Sequence, residues 1–381
     1  MRPNYQEISM VIFNFCIRLE LSMSKKSLSV VYVVPSLART GVTNVVLGIA
    51  KGMVAAGNKV TVVALKPHDV SDSVEVSLNE AGVSIHVLSG NYLKKVFQFV
   101  DVLKVEHPNV VHTHAFKADL FVATLPNIPY PLVSTAHNIA IQDFTAVYGK
   151  IKGLMFATMQ KLLYRIRFDA VYAVSKTVAN YWRENGINTS VVYNGVEDKS
   201  NLDFEAQKNE FHYPISLVWT GRITKRKRLD LILEWIKNDS RFNITVVGNG
   251  LLYEPLFNAY GNADNITFVG RVQDVTSYVT PGKVFVSASS SEGLPMAAIE
   301  AMQNNLPLIL SDIPQHKELS DGSYFGVQFF SNESEFFKDI DILTRNVRTV
   351  ESRKIYNNKF TVSIMASNYM KQYTKIMEEK N

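Results

Sequence analysis

The chain has 381 residues, of which 46% are apolar, and it carries a formal net charge of +5. This composition excludes an intrinsically disordered protein, and the length predicts two domains or more. The charge suits an acidic partner such as phosphate or a lipid surface, but it does not by itself indicate nucleic-acid binding. The single cysteine, Cys16, excludes a disulfide framework and favours a reducing cytoplasm.

Residues 1–22 precede the first predicted strand and form an appendage. Residues 8–17 are apolar, but the run is too short to span a bilayer. Arg18 and Glu20 interrupt the apolar pattern, and no small-residue cleavage site follows. We expect Met23 to be the natural start, and the alternative is a short interfacial anchor.

The first regular pattern is a βαβ unit. A predicted strand at residues 28–34 leads into a polar turn that ends at Gly41, and a helical pattern at 44–56 precedes a second strand at 59–65. The glycine-bearing loop therefore meets a helix start, as in doubly wound α/β folds.

Two later strands, at residues 109–114 and 132–138, carry histidines at their ends. These are His112, His114 and His137, and they lie where parallel sheets bind ligands. Zinc is one alternative, although no cysteine or carboxylate stands beside them at metal-ligand spacing. A packed, hydrogen-bonded structural role is the other.

Residues 150–168 contain five basic side chains and no acidic one. Apolar residues are interspersed at helical spacing, which predicts a basic amphipathic helix. Two interpretations are open: the helix lies on an anionic membrane, or its apolar side packs into the core. The apolar residues are Leu154, Met155, Phe156, Met159, Leu162, Leu163 and Ile166.

The second half begins after a polar segment, residues 198–213, which lacks apolar periodicity and marks a domain boundary. A strand at 215–219 leads into Gly221 and a basic run in which five of the seven residues 222–228 are Lys or Arg. At a strand-to-helix turn, Arg222 and Lys227 can clamp a diphosphate by charge-assisted hydrogen bonds. For the run as a whole, a solvated face or a nucleic-acid patch is the alternative. Lys225, Arg226 and Arg228 are expected to be surface charges that contribute little individually.

The next strand, residues 243–247, is followed by Gly248 and Gly250, which permit close backbone approach to a ligand. A further strand at 265–269 precedes Arg271.

A buried strand at residues 283–288 is followed by a turn and a helix. Pro295 suits the first helical turn, and free N–H groups at a helix start bind anions. Glu292 and Glu300 frame this start, roughly 12 Å apart at the helical rise. That separation suits the two ends of a nucleotide sugar, whereas a solvated pair of glutamates is the alternative.

The stretch from Glu292 to Met302 resembles the E-x7-E motif of the retaining family 4 glycosyltransferases, and Gly221, Arg222 and Lys227 resemble their diphosphate motif. The chain departs from the family pattern at Thr40 and Arg228, where glycines are usual. The resemblance implies an α/β GT-B fold, in which two Rossmann-like domains face each other across a cleft and the last helix crosses back to the first domain. The implied domains are residues 23–197 with 361–381, and residues 214–360, joined by the linker 198–213.

The resemblance also implies the site. His137, Glu292, Arg222 and Lys227 would be catalytic, with no metal and no cofactor beyond the nucleoside diphosphate sugar. The donor-binding residues would be Gly41, Gly221, Arg222, Lys227, Gly248, Gly250, Arg271, Glu292, Gly293, Leu294, Met296, Ala297 and Glu300.

The function implied is metal-independent, retaining transfer of a hexose to a hydroxyl of a lipid-linked glycan in surface polysaccharide synthesis, such as lipopolysaccharide or capsule. The enzyme would be cytoplasmic and peripheral at the inner face of an anionic membrane, with no nucleic-acid partner. A sugar-nucleotide epimerase of the same architecture and a non-catalytic nucleotide-sugar-binding subunit are the alternatives.

Overall fold

The computed structural model describes residues 27–126, 128–198, 211–320, 322, 324–345 and 351–380. The predicted appendage, residues 1–22, and most of the predicted linker, 198–213, lie outside the described residues. Both expectations therefore stay predictions.

Seven parallel strands form the first sheet, in the order β3-β2-β1-β4-β5-β6-β7. The reversal of strand order between β1 and β4 is typical of a doubly wound fold. The strands are β1 (Ser29–Val34), β2 (Lys59–Ala64), β3 (Ser84–Val87), β4 (Val110–His114), β5 (Leu132–Ala136), β6 (Ala170–Ala173) and β7 (Thr189–Val191).

Six parallel strands form the second sheet, in the order β10-β9-β8-β11-β12-β13, with the same reversal between β8 and β11. The strands are β8 (Ile215–Thr220), β9 (Phe242–Val247), β10 (Ile266–Gly270), β11 (Val284–Ser287), β12 (Leu308–Ser311) and β13 (Val327–Phe330). Two Rossmann-like sheets were predicted, and the topology confirms them.

Helices connect the strands of both sheets. In the first half they are α1 (Gly41–Ala55), α2 (Glu75–Glu80), α3 (Tyr92–Glu106), α4 (Phe116–Ala123), α5 (Ala140–Tyr148), α6 (Lys150–Arg167) and α7 (Lys176–Glu184). In the second half they are α8 (Leu229–Ile236), α9 (Tyr253–Tyr260), α10 (Met296–Gln303), α11 (Pro314–Lys317), α12 (Glu333–Arg345), α13 (Ser352–Lys359) and α14 (Val362–Lys380). No helix within the described ranges is both long and apolar enough to cross a bilayer.

Strand β1 shows why both faces of the first sheet are covered. Its residues are apolar without alternation, as expected for a strand buried on both sides. Tyr32 and Val34 belong to a core shared with α1 and α14, whereas Val31 and Val33 pack with Phe99 of α3. The sheet is therefore a middle layer between two helical layers.

The C-terminal helix α14 returns to the first domain, as predicted, and packs on α1. The two helices approach closely because α1 carries Gly48 and Gly52 one turn apart. A Cβ atom at Gly52 would lie 2.6 Å from the Cβ of Ala366 in α14. Tyr369 and Tyr373 of α14 are fully buried and reach the first sheet.

Candidate active site

The two loops that carry the predicted donor motifs lie side by side at the switch point between β8 and β11. Adjacent strands whose connections run in opposite directions leave a crevice at their carboxyl ends. The loop after β8 is hydrogen-bonded to the loop after β11, since Ser290 donates its backbone N–H to the oxygen of Arg226 at 2.8 Å. The Nε of Arg228 donates to the oxygen of Ala288 at 2.7 Å.

An ion-paired cluster around the buried Glu292 occupies this crevice. The Nζ of Lys227 lies 2.6 Å from one carboxylate oxygen of Glu292, and the Nη1 of Arg226 lies 2.7 Å from the other. The Glu292 side chain is only 5% exposed. Burial alone would raise the pKa of Glu292, but the charges of Lys227 and Arg226 outweigh it and lower the pKa to about 2. Glu292 is therefore an anion throughout the physiological range.

The cluster differs from the predicted clamp in one member. Arg222 and Lys227 were expected to act together on the diphosphate, but the two cations that contact Glu292 are Lys227 and Arg226. Arg222 lies exposed at the start of the same loop. The expectation that Arg226 and Arg228 are surface charges is wrong, because both are part-buried and bonded to the loop after β11. The sequence pattern could not indicate the contacts of Arg226 and Arg228, because a loop has no regular residue spacing from which side-chain positions can be predicted.

Arg228 also has an unusual backbone. Its φ of 45° and ψ of 41° lie in the left-handed region, which favours glycine. This geometry explains why glycine is usual at this position in the family that the sequence resembles. The hydrogen bonds from the Arg228 guanidinium to Ala288 and Ser289 help hold the residue there.

Gly221, Gly248 and Gly250 allow two loops to pack backbone to backbone. A Cβ at Gly248 would lie 1.8 Å from the oxygen of Gly221, and a Cβ at Gly250 would lie 2.3 Å from the oxygen of Ile223. Gly221 and Gly248 also have positive φ values, 144° and 145°. Loop packing therefore requires Gly248 and Gly250 independently of any ligand.

The first domain meets this crevice through His137. A Cβ at Gly293 would lie 1.8 Å from the backbone oxygen of His137, so the two loops touch across the domain boundary. The Nε2 of His137 lies 2.9 Å from the Nδ1 of His114. Burial lowers the pKa of His137 to about 4, and burial together with the neighbouring histidines lowers the pKa of His114 well below its usual value. Both rings are therefore neutral at pH 7.

His112 has a structural role. Its Nδ1 lies 2.6 Å from the hydroxyl of Tyr373, and its Nε2 lies 2.8 Å from the hydroxyl of Thr135. Both ring nitrogens are therefore engaged within the core beneath α14, and Thr135 is in turn bonded to Tyr369 at 2.9 Å. Among the described residues, no group of three or more His, Cys, Asp or Glu could hold a metal ion. The zinc alternative for the three histidines is therefore not supported.

Helix α10 starts one residue later than predicted, with Pro295 at the position before it. The oxygen of Pro295 accepts from the N–H groups of Ala298 and Ile299. The N–H groups of Met296 and Ala297 come before the first hydrogen bonds of the helix. They are the donors without a partner inside the helix that are expected at a helix start.

The remaining predicted residues are dispersed around the crevice. Glu300 is half-buried on α10, and Leu294 is buried in the core. Arg271, expected beside the base, lies 2.5 Å from Asp72 of the first domain in an exposed ion pair. Gly41 begins α1, where a Cβ would meet nothing within 4 Å. The binding roles proposed for these residues stay predictions.

The comparisons with known families cover both halves of the chain. A model described as Glycosyltransferase Family 4 matches residues 39–200, and one described as Glycosyl transferases group 1 matches residues 201–358. The chain belongs to glycosyltransferase family 4. As a family 4 glycosyltransferase, it is 25% identical over 367 residues to the O-antigen biosynthesis glycosyltransferase WclY of Escherichia coli, covering 92% of this chain and 99% of that protein. It is also 25% identical to the capsular polysaccharide biosynthesis glycosyltransferase CapH of Staphylococcus aureus, covering 74% and 86%.

Solved structures confirm the GT-B fold of this glycosyltransferase. Anabaena HepE in complex with UDP-glucose superposes with a TM-score of 0.74 at 16% identity, covering 91% of this chain and all of that one. Sucrose-phosphate synthase from Thermosynechococcus elongatus superposes with a TM-score of 0.75 at 16% identity, covering 92% and 100%. At these sequence identities, the structural similarity supports the fold and nothing further.

Proposed function

We propose that this glycosyltransferase moves a hexose from a nucleoside diphosphate sugar to a hydroxyl of a lipid-linked glycan, with retention of anomeric configuration and without a metal ion. The pathway would be surface polysaccharide synthesis, which the names of WclY and CapH favour. The enzyme would work at the cytoplasmic face of the membrane. The observation that carries the proposal is the cluster of Lys227, Arg226 and Glu292 at the switch point, facing His137 across the domain boundary.

The cluster suits a leaving diphosphate. An ammonium group carries three N–H donors, so Lys227 can keep its bond to Glu292 and still bind a phosphate oxygen. Arg222 and the N–H groups at the start of α10 would add further donors. Negative charge grows on the diphosphate as the glycosidic bond breaks, and donors fixed in advance stabilise it at no reorganisation cost.

The other residues take roles at the two ends of the donor. Glu292 would accept from hexose hydroxyls, because its low pKa keeps it an acceptor, while Glu300 would bind the ribose. The His137 ring is neutral, so it would form a hydrogen bond to the transferred sugar and would not contribute a positive charge. In a same-face reaction the departing phosphate helps to deprotonate the acceptor, so no strong protein base is needed.

A panel of nucleoside diphosphate sugars tests the donor assignment. Thermal shift identifies the nucleotide that binds, and radiolabelled donor then follows transfer to membrane extracts, with NMR of the product reporting the anomeric configuration. Activity that persists in a metal chelator supports metal independence. An interconverted nucleotide sugar, an inverted product or binding without turnover would each overturn the proposal.

Calorimetry of the Glu300→Ala variant tests the ribose contact that the proposal assigns to Glu300. Loss of a bidentate ribose contact should weaken nucleoside diphosphate binding roughly tenfold. The matched control is Glu254→Ala, which changes an exposed glutamate in the first turn of α9. Equal affinities of the two variants would remove Glu300 from the ribose site.

A further inference from the structure

The helical hairpin of α5 and α6 follows directly after His137 and is joined at Gly149. Its two helices pack tightly, because a Cβ at Gly153 would lie 2.5 Å from the Cα of Thr145. Helix α6 faces the rest of the domain through four residues spaced at helical intervals. These are Gly153, Ala157, Gln160 and Tyr164, all buried.

The opposite side of α6 carries an apolar ridge, defined as Ile151, Met155, Leu162 and Ile166. Their exposed fractions are 88%, 55%, 54% and 62%. At 3.6 residues per turn they fall within an arc of about 60°, centred roughly opposite the buried side, and they span about 22 Å. The interpretation that the apolar side packs into the core is therefore wrong for the four exposed members of the predicted set, which are Leu154, Met155, Leu162 and Ile166. The other three, Phe156, Met159 and Leu163, are half-buried.

Basic side chains flank the apolar ridge on both sides. Lys161 and Arg165 fall on one side of it on the helical wheel, and Lys152 falls on the other. The hairpin contains a single acidic residue, Asp143, at the end of α5 nearer to His137. An outward helix face in a soluble domain is ordinarily polar, so an apolar ridge between cations needs a partner.

We propose that this face docks on an anionic lipid bilayer. The ridge would enter the boundary between headgroups and acyl chains, while the lysine and arginine side chains extend to anionic headgroups. The charge pattern favours a bilayer over a protein partner, because protein interfaces are depleted in lysine around their buried centre. A bilayer instead gains from each cation near its surface.

The hairpin also links this face to the candidate active site. The start of α5 lines an open depression between the domains, together with Ile139, Tyr181 of α7 and Pro314 of α11. The far end of α5 exposes Val147 and Tyr148, at 66% and 46%, beside the ridge. Helix α5 is about 13 Å long at the helical rise. The glycan of a lipid-linked acceptor would thus reach His137 while its lipid stays in the bilayer, a consequence that rests on the proposed function.

Vesicle flotation tests the surface. We expect the full chain to float with vesicles of phosphatidylcholine and phosphatidylglycerol and not with phosphatidylcholine alone. Replacing Ile151, Leu162 and Ile166 together by serine should reduce binding at least about tenfold. Replacing Lys152, Lys161 and Arg165 together by serine should do the same, since each cation is worth roughly fivefold at such a surface.

Matched controls keep the result specific. Leu251→Ser removes a side chain that is 91% exposed on the second domain, and it should leave flotation unchanged. Replacing Ile12, Phe13 and Phe15 by serine tests the N-terminal appendage in the full chain, and it should also leave flotation unchanged. Loss of binding in either control, or no binding by the unaltered protein, would overturn the proposal.

Two further readouts separate the remaining explanations. A dimer that becomes monomeric in the serine variants, without vesicle binding, would make the face a protein interface and overturn the proposal. Calorimetry with UDP and GDP on the same variants should show unchanged nucleotide binding. If no nucleotide binds while flotation persists, the proposed function fails and the membrane surface stands.

Discussion

The two domains bury a carboxylate in opposite ways. In the second domain, Glu292 contacts two cations, and its pKa falls to about 2. In the first domain, Asp119 on α4 accepts four neutral hydrogen bonds and contacts no cation that the structure describes. Its donors are the side chains of Thr113, Ser134, Gln160 and Tyr164. Burial raises the pKa of Asp119 to about 6 even though these hydrogen bonds act in the opposite direction.

The difference shows that the partner of a buried carboxylate, rather than burial itself, decides the direction in which its pKa shifts. The second domain keeps fixed charges in the crevice, which is useful for binding and releasing a charged nucleotide. The first domain uses neutral polar groups, including the histidines, to join helices α4, α6 and α14 to the sheet. Four predictions test this contrast, from the largest expected effect to the smallest.

The first prediction concerns the charged crevice. We expect Lys227→Ala to lower kcat by roughly 10²-fold or more, because a donor to the leaving diphosphate is lost in the transition state. Arg222→Ala should lower kcat by a similar factor, because Arg222 is proposed to bind the same diphosphate. Arg226→Ala should lower kcat about tenfold, because the Arg226 side chain holds Glu292 in position.

Lys225→Ala is the matched control, because Lys225 is an exposed cation of the same loop. It should change kcat by less than about fivefold. Steady-state kinetics of the four variants decides the assignment, and similar, modest KM effects in all of them would indicate a generic basic patch instead.

The second prediction is the acid stability of the crevice. A carboxyl whose pKa is lowered by folding stabilises the fold above its unfolded pKa, here near 4.5, and this contribution is lost as the pH falls to about 2. The loss should amount to about 3 kcal/mol in the free energy of unfolding. Glu292→Gln should lack this part of the pH dependence in urea titrations, whereas Glu254→Gln should retain it. Parallel profiles for the protein and Glu292→Gln would contradict the low pKa.

The third prediction has the opposite sign and concerns Asp119. Its folded pKa of about 6 exceeds the usual 3.8, so its contribution is fully present below about pH 3.8 and is lost as the pH rises through about 6. The free energy of unfolding should fall by slightly less than 3 kcal/mol over that window. Asp119→Asn should remove this slope, and Asp101→Asn, at an exposed site, should not. A slope unchanged by Asp119→Asn would show that the hydrogen bonds cancel the effect of burial and that folding does not raise the pKa of Asp119.

The smallest predicted effect lies in the neutral network beneath α14. The hydroxyl of Tyr373 contacts both His112 and the hydroxyl of Tyr32, at 2.6 Å and 3.2 Å. Tyr373→Phe leaves these buried groups without that partner and should cost about 1–3 kcal/mol in the free energy of unfolding. Tyr369→Phe, which removes a single bond to Thr135, should cost less. Kinetic constants should be unchanged in both, and a large fall in kcat would give His112 a catalytic role.

The sequence by itself determined the fold and the family. Continuous apolar strands, glycine-bearing turns and helical spacing are local features, so β1, the loop at Gly221 and the helix after Glu292 could be located from residue order. Lys227 and Glu292 were identified in the same way, because their motifs resemble those of a known family.

The tertiary structure alone decided which side chains meet. Arg226, rather than Arg222, contacts Glu292, and Arg228 in the same loop takes a left-handed backbone conformation. No periodic pattern in the sequence encodes either feature. It also decided that Gly248 is required by the Gly221 backbone, and that the apolar ridge of α6 faces outward. Whether an amphipathic helix faces the core or a membrane depends on which side its neighbours cover, and here Thr145 of α5 occupies the side of Gly153. Contacts between residues distant in sequence therefore set the chemistry of the crevice and the orientation of the hairpin.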